Sequence, residues 1–193
     1  MPAPLAYALV ALAGYLLGSI PVALLVGQAR GLDLREVGDR NPGAWNAMEQ
    51  LGTRAALPVF LGDAAKGAAA AGVGMLALGY WGAVVGAGAA MLGHSFPLFA
   101  SFRGGRALMT YVGVCCVLTP LPAALALTVC AVASLARDFK LGVRLGVFLY
   151  PGLVLLIDRD LTDFLVAVGL LGIIALRFAQ AWWALRMARQ PGS

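Results

Sequence analysis

Six long, continuous apolar runs are the feature of this sequence that most limits its fold. They lie at about residues 4–28, 55–78, 80–100, 107–135, 140–157 and 161–185. An α-helix needs about 20 apolar residues to cross a bilayer, and a membrane β-barrel would show alternating apolar residues. Hydrophobic residues make up 61% of the chain, against about 45–50% in soluble domains. The sequence therefore predicts an all-α membrane protein that forms one domain over residues 1–193.

The fourth run is too long for one span and contains Pro120 and Pro122 near its middle. Because proline inside a helix removes a backbone hydrogen bond and clashes with the preceding turn, we expect a short helix before residue 119 and another after 122. This gives seven transmembrane helices, and six helices with a kinked fourth are the alternative. The first run is expected to remain as a span, because no basic residue precedes it and it is long for a cleaved signal.

The positions of arginine and lysine predict the orientation of the helices, because cytoplasmic loops are enriched in these residues. The N-terminus is predicted to lie outside the cytoplasm and the C-terminus inside it. This orientation places these cations inside: Arg30, Arg35, Arg40, Arg54, Arg103, Arg106, Arg137, Lys140, Arg144, Arg186 and Arg189. The outward turns then contain essentially only Arg159. The net charge of +5 indicates an anionic membrane surface as the partner and no nucleic acid.

The segment VGDRNPGAWNAMEQLG, residues 37–52, is the least hydrophobic part of the chain and lies on the predicted inward side. Glycine lets the backbone approach a ligand closely, and consecutive exposed N–H groups bind phosphate or other oxyanions. Asn41, Gly43 and Asn46 are therefore candidate phosphate-binding residues. The alternative is an interfacial loop in which these residues form turns and helix caps.

A second polar segment follows the third apolar run. It contains His94, the only histidine, and the sequence Arg103-Gly104-Gly105-Arg106 just before the fourth run. Two cations, a flexible backbone and the free N–H groups of a helix start are the ingredients of a phosphate site. The alternatives are a positively charged membrane anchor and a structural histidine.

Asp63 and Lys66 lie inside the second apolar run, where charges are costly and are usually paired or functional. Their i, i+3 spacing puts them on one helix face, so that they can neutralise each other. Lys66 either completes a structural pair or binds an anion. With one histidine and no acid-rich cluster, no metal site is expected.

Three segments, taken in order and with their spacing, resemble the bacterial membrane acyl-phosphate:glycerol-3-phosphate acyltransferases, the PlsY family. They are GSIPVALLVGQARGLDLREVGDRNPGAWNAMEQLG from Gly18, FLGDAAKGAAAA from Phe60 and LGHSFPLFASFRGGRALMTYVGV from Leu92. The resemblance implies transfer of a fatty acyl group from acyl phosphate to the 1-hydroxyl of glycerol 3-phosphate, without a metal or other cofactor. It also implies a location in the bacterial plasma (inner) membrane, with the active site facing the cytoplasm.

In such an enzyme, His94 and Asn46 are the expected catalytic residues. The residues expected to bind substrate phosphate are Asn41, Gly43, Lys66, Arg103, Gly104, Gly105 and Arg106. The chain departs from the family pattern in four places. The family's Lys-Gly-Gly-Lys-Gly appears as Arg103-Gly-Gly-Arg106-Ala107, and RDFKLGVRLG around Lys140 stands where the family tends to have small Ser residues. In segment 37–52, the family's Ser, Gly, Thr and Arg are replaced by Asp39, Arg40, Trp45 and Glu49. Near the end of the last helix, its His, acid and Asn are replaced by Phe178, Gln180 and Ala181. The alternative function is accordingly a catalytically altered member that binds or regulates lipid, or that acts on another phosphorylated acceptor.

Overall fold

The computed structural model describes residues 1–187, so the predicted C-terminal tail with Arg189 lies outside the described residues. The helices are α1 (Ala3–Gly18), α2 (Val22–Gln28), α3 (Ala44–Leu51), α4 (Thr53–Ser95), α5 (Leu108–Leu118), α6 (Pro120–Ala136), α7 (Phe139–Ile157) and α8 (Leu161–Met187). A short 3-10 turn, Leu98–Ala100, precedes α5. Within residues 1–187 there is no β-strand, and the prediction of an all-α protein is confirmed.

The long helix α4 is a hairpin of two arms, which correspond to the predicted runs 55–78 and 80–100. Its backbone leaves the helical conformation at Leu78 and Gly79, where φ is −139° and +67°. Gly74 and Gly82 then meet across the reversal, and a Cβ on either residue would overlap the backbone of the other arm. Glycine is required here because the two arms approach so closely.

The fourth apolar run divides at Thr119, as predicted, but α6 begins at Pro120 and not after residue 122, because proline is tolerated in the first turn of a helix. The first run is also divided, and the expectation of one helix over residues 4–28 is wrong in this detail. The break lies at Ser19-Ile20-Pro21, because Pro21 has no N–H with which to continue the helix. The carbonyl of Ile20, left outside a helix, accepts a hydrogen bond from Lys66 Nζ at 3.0 Å.

A short amphipathic helix, α3, forms in the segment that we expected to be a loop. It begins after Gly43, whose backbone is extended, and ends at Gly52, whose φ is +83°. Ala44 and Ala47 are buried, while Glu49 faces outward. The hydropathy pattern misses this helix because it has only eight residues and one apolar face.

The outer surface is apolar, and the helices pack through small residues. The backbones of α1 and of the second arm of α4 touch at Gly14 and Gly86, where a Cβ would overlap. Small residues that allow such close approach are typical of helix packing in membranes. Leu76, Leu135 and Phe148 are 90%, 90% and 78% exposed, which suits contact with lipid. By length and composition, four stretches within residues 1–187 could cross a membrane: Ala3–Gln28, Thr53–Ala100, Phe139–Ile157 and Leu161–Ala184.

Candidate active site

Residues 29–43, between α2 and α3, form the polar loop. A cavity of about 850 Å³ lies between this loop and helices α3 to α8. Its polar end is lined by Asp39, Asn41, Gly43, Asp63, His94 and Arg106. Its apolar walls come mainly from α5, α6 and α7, and include Cys115, Ala123, Ala126, Leu127 and Val147. A cavity of this size and polarity suits a ligand with an anionic head and a hydrocarbon chain.

Three ionisable side chains form a buried cluster beneath the polar end. Lys66 Nζ lies 2.7 Å from Asp63 Oδ1, as the i, i+3 spacing predicts. His94, from the other arm of α4, has its Nδ1 3.5 Å from the same oxygen. Asp63, Lys66 and His94 are 1%, 6% and 7% exposed. His94 lines the cavity, whereas Lys66 lies beside it with its charge balanced by Asp63.

Arg106 joins the polar loop to the start of α5. Its Nη1 donates to Asp39 Oδ2 at 3.0 Å, and its guanidinium lies 4.6 Å from the centre of the Phe178 ring. Only about a fifth of the side chain is exposed, at 22%. Arg106 is therefore held in place at the polar end, with the remaining guanidinium donors available to a ligand.

Segment 103–106 passes over His94 in a conformation that depends on its two glycines. The N–H of Gly105 donates to the His94 carbonyl at 3.1 Å. A Cβ on Gly105 would overlap His94 Nε2, and one on Gly104 would overlap the backbone of residues 94 and 95. Arg103 points away from the cavity: its side chain is 67% exposed and lies 4.0 Å from Glu36.

Asn46 and Asn41 have different surroundings although both belong to the polar loop region. Asn46 is fully buried, and its Nδ2 donates to the carbonyls of Leu34 and Val37 at 2.9 and 3.0 Å. Asn41 lines the cavity, and its backbone N–H donates to Asp39 Oδ1 at 3.1 Å. The structure thus brings Asn41 to the cavity wall and uses Asn46 to tie the loop to α3.

A second charge pair in the loop is internally balanced. Arg35 donates to both carboxylate oxygens of Asp33, with the Nη2–Oδ2 contact at 2.6 Å. These hydrogen bonds hold the pKa of Asp33 below its usual value. Both Arg35 and Arg106 are paired with a carboxylate. Only Arg106 of the two lines the cavity, which makes it the better placed cation for a ligand there.

Arg177 is a site residue that sequence reasoning missed. From α8, its Nε donates to the Gly105 carbonyl at 3.2 Å and its Nη2 to the Gly104 carbonyl at 3.1 Å. Its guanidinium lies 4.6 Å from the centre of the Phe96 ring. A signal was present, because Arg177 is the only cation in the apolar run 161–185, and charges inside spans are usually functional or paired.

Of the residues that depart from the family pattern, Asp39, Trp45 and Phe178 line the cavity. Glu49 is exposed and lines an open groove beside the cavity. Trp45 stacks on Phe139, with ring centres 5.5 Å apart. Phe178 contacts the Arg106 guanidinium, and Gln180 accepts a hydrogen bond from Arg177 at 2.8 Å.

Together, the fold and the cavity define an α-helical membrane protein with a candidate site for an amphiphilic anion. The family model described as "Glycerol-3-phosphate acyltransferase" matches residues 8–186. A relative from Agrobacterium fabrum with that name is 37% identical, over 95% of this chain and 87% of the relative. Another, "Glycerol-3-phosphate acyltransferase 5" of Dehalococcoides mccartyi, is 39% identical over 76% of this chain and 64% of its own length.

A solved structure shows the same fold. It is the crystal structure of PlsY, an integral membrane glycerol 3-phosphate acyltransferase, in the glycerol 3-phosphate form. The TM-score is 0.81 at 26% identity, and the match covers 97% of this chain and 95% of that one. The chain belongs to the glycerol-3-phosphate acyltransferase family, and it is a membrane-embedded member of that family.

Proposed function

We propose that this protein transfers a fatty acyl group from acyl phosphate to the 1-hydroxyl of glycerol 3-phosphate, in phospholipid synthesis. The observation that carries the proposal is the 850 Å³ cavity, with Arg106 and His94 at its polar end and apolar walls from α5 to α7. An acyl phosphate has an anionic head and a hydrocarbon chain, which match these two parts. The products are lysophosphatidic acid and inorganic phosphate.

Because an acyl phosphate is already an activated donor, the protein mainly has to position the two substrates and stabilise the charge that develops. The 1-hydroxyl oxygen attacks the carbonyl carbon of the donor, the bond from that carbon to the phosphate oxygen breaks, and phosphate leaves. Arg106 and the side-chain amide of Asn41, which both line the polar end, stabilise phosphate charge there. The hydroxyl proton goes to His94 or to a substrate phosphate.

His94 is the proposed base, and Asp63 orients it. His94 Nδ1 faces the Asp63 carboxylate at 3.5 Å, and Nε2 lies on the side of Gly105. A carboxylate on one nitrogen fixes the orientation of the ring and leaves the other nitrogen for proton transfer. For Asn46, predicted as catalytic, the proposed contribution is to hold the loop that carries Asn41, because its Nδ2 donates to two loop carbonyls.

Replacement of His94 by Gln tests this role through the pH profile. We expect a loss in kcat of about 100-fold or more, as for removal of a general base. The decline in rate on the acidic side, where the imidazole of the wild-type protein becomes protonated, should disappear in the variant. A variant with a pH profile of the same shape as the wild type would exclude His94 as the base and favour a substrate phosphate.

Arg177 is proposed as a positioning residue, because it fixes the carbonyls of Gly104 and Gly105 next to Arg106. Arg177→Met removes these hydrogen bonds and should lower kcat by about 10- to 100-fold. Arg177→Lys, which keeps a cation, should retain part of the kcat that Arg177→Met loses. The matched control is Arg186→Met, because Arg186 lies further along α8, with its guanidinium 5.2 Å from the centre of the Trp182 ring. Equal losses in the two α8 variants would contradict a positioning role for Arg177.

The proposed arrangement has seven spans, with α5 as the short one, an N-terminus outside and a C-terminus in the cytoplasm of the bacterial inner membrane. The cation-rich segments 29–54, 101–106 and 137–144 support it, because such segments remain on the cytoplasmic side. The active site then faces the cytoplasm, where phosphorylated metabolites are available.

The proposed function is tested by measuring the products that the purified protein in lipid nanodiscs forms from different acyl donors and acceptors. We expect lysophosphatidic acid from palmitoyl phosphate and glycerol 3-phosphate, and little or none when palmitoyl-CoA replaces the donor. Dihydroxyacetone phosphate serves as the second phosphorylated acceptor. Faster acylation of that acceptor would contradict the proposed specificity, and no acylation of either would contradict the proposed activity.

A further inference from the structure

We propose that Lys140 and Arg144, at the start of α7, bind the phosphate of the acyl donor. The inference rests on the proposed function and adds to it two residues outside the predicted phosphate site. Both residues line the 850 Å³ cavity. They also line the open groove that adjoins it, so they stand where the cavity meets the aqueous surface.

The balance of charges around the cavity favours an anion at this position. The two carboxylates that line the cavity are each in contact with another cation, Asp39 with Arg106 at 3.0 Å and Asp63 with Lys66 at 2.7 Å. In the described part of the chain, no carboxylate lies within ion-pair distance of Lys140 or Arg144. These two side chains therefore bring unneutralised positive charge to the cavity.

The nearby acids do not cancel this charge by direct contact. Asp138 precedes α7 and caps it, accepting the N–H of Leu141 at 2.9 Å. Glu49 lines the open groove on the side of α3 and is exposed. It does not line the 850 Å³ cavity, whereas Lys140 and Arg144 do.

Aromatic contacts hold Lys140 at the cavity entrance. Its Nζ lies 5.0 Å from the centre of the Trp45 ring, which stacks on Phe139 at 5.5 Å and 18°. Phe60 packs edge-on against Phe139, with ring centres 5.9 Å apart. A cation–π contact positions an ammonium group and uses no carboxylate, so the ammonium charge remains available to a phosphate.

The continuation of α7 indicates which substrate these cations bind. The cavity-lining residues Lys140, Val143, Arg144, Val147 and Tyr150 recur at helical spacing along one face. The cations lie in its first two turns, and the cavity-lining residues Val147 and Tyr150 continue the face for about 9 Å beyond Arg144. One face of α7 therefore carries cations followed by apolar side chains. This order fits an acyl phosphate better than glycerol 3-phosphate, because glycerol 3-phosphate has no acyl chain.

The test uses the double variant Lys140→Gln/Arg144→Gln in nanodiscs of phosphatidylcholine. This lipid has no net charge, so anionic lipid headgroups make no contribution. We expect the KM for palmitoyl phosphate to rise about 10- to 100-fold, with the KM for glycerol 3-phosphate within about twofold. The matched control is Arg54→Gln, because Arg54 is an exposed cation near the same surface that does not line the cavity.

A rise in the KM for glycerol 3-phosphate instead, or an unchanged KM for both substrates, would overturn the inference. Equilibrium binding of hexadecyl phosphate, which carries no reactive acyl group, gives a second measurement that needs no turnover. Weaker binding by the double variant supports the inference, and equal binding overturns it. If the wild-type protein binds this probe through the two cations but makes no lysophosphatidic acid, the proposed function fails and the binding site stands.

Discussion

Replacement of Arg106 by Ala is expected to lower kcat/KM for lysophosphatidic acid formation by about 100- to 1,000-fold, the usual cost of removing a donor that stabilises transition-state charge. Arg106 lines the polar end of the cavity and is oriented by Asp39 and Phe178. Its guanidinium thus has few alternative positions. The measurement is the initial rate with palmitoyl phosphate and glycerol 3-phosphate, each varied at saturation of the other.

The matched variant is Asp39→Asn, which removes the same ion pair but retains the cation. If Arg106 matters because it binds substrate, Asp39→Asn should keep most of the activity, and its KM for a phosphorylated substrate should stay equal or fall. Equal losses of activity in Arg106→Ala and Asp39→Asn would show that the ion pair itself is what the site requires. That result would contradict a direct role for Arg106 in binding phosphate.

Replacement of Asp63 by Asn is expected to destabilise the protein by about 3–5 kcal/mol, because removal of one partner leaves a buried charge uncompensated. Lys66 and Asp63 have only 5% and 2% of their side chains exposed, so water does not replace the lost contact. The measurement is the thermal unfolding temperature of the purified protein in detergent. A fall of several degrees is expected for Asp63→Asn and for Lys66→Met.

The double variant Asp63→Asn/Lys66→Met is the control for this prediction. It removes both charges together, and it should be less destabilised than the sum of the two single variants, because contacting residues are not additive. Strict additivity would indicate that the 2.7 Å contact between the two residues contributes no stability. The double variant is still expected to be less stable than the wild type, because the hydrogen bond from Lys66 to the Ile20 carbonyl is lost.

Much of the fold follows from hydropathy and proline, and the remainder depends on packing. The runs on either side of Gly79 and the division at Thr119 are visible in the sequence because each helix interior is apolar and each break contains glycine or proline. Helix α3 is not visible in this way. Its apolar face is short, and burial of Ala47 against the rest of the chain decides its conformation.

In the candidate site, local sequence motifs predict individual residues but not the contacts between residues far apart in the sequence. His94, Arg106 and Asn41 were predicted from local motifs, and the structure brings all three to one cavity. The contacts of Arg106 with Asp39 and of Arg177 with Gly105 join residues 67 and 72 positions apart. Sequence spacing gives no indication of such pairs, because only the helix packing brings them together.

The most direct test of the central claim is the phosphorus balance of the reaction, followed by ³¹P NMR with the purified protein in nanodiscs. The acyl phosphate signal should decline only when glycerol 3-phosphate is present. One molecule of inorganic phosphate and one of 1-acyl-glycerol 3-phosphate should appear for each acyl phosphate consumed, and Arg106→Ala should slow all three changes together. Loss of acyl phosphate to inorganic phosphate without an acylated product, or no change at all with the folded wild-type protein, would contradict the claim that this cavity transfers the acyl group to glycerol 3-phosphate.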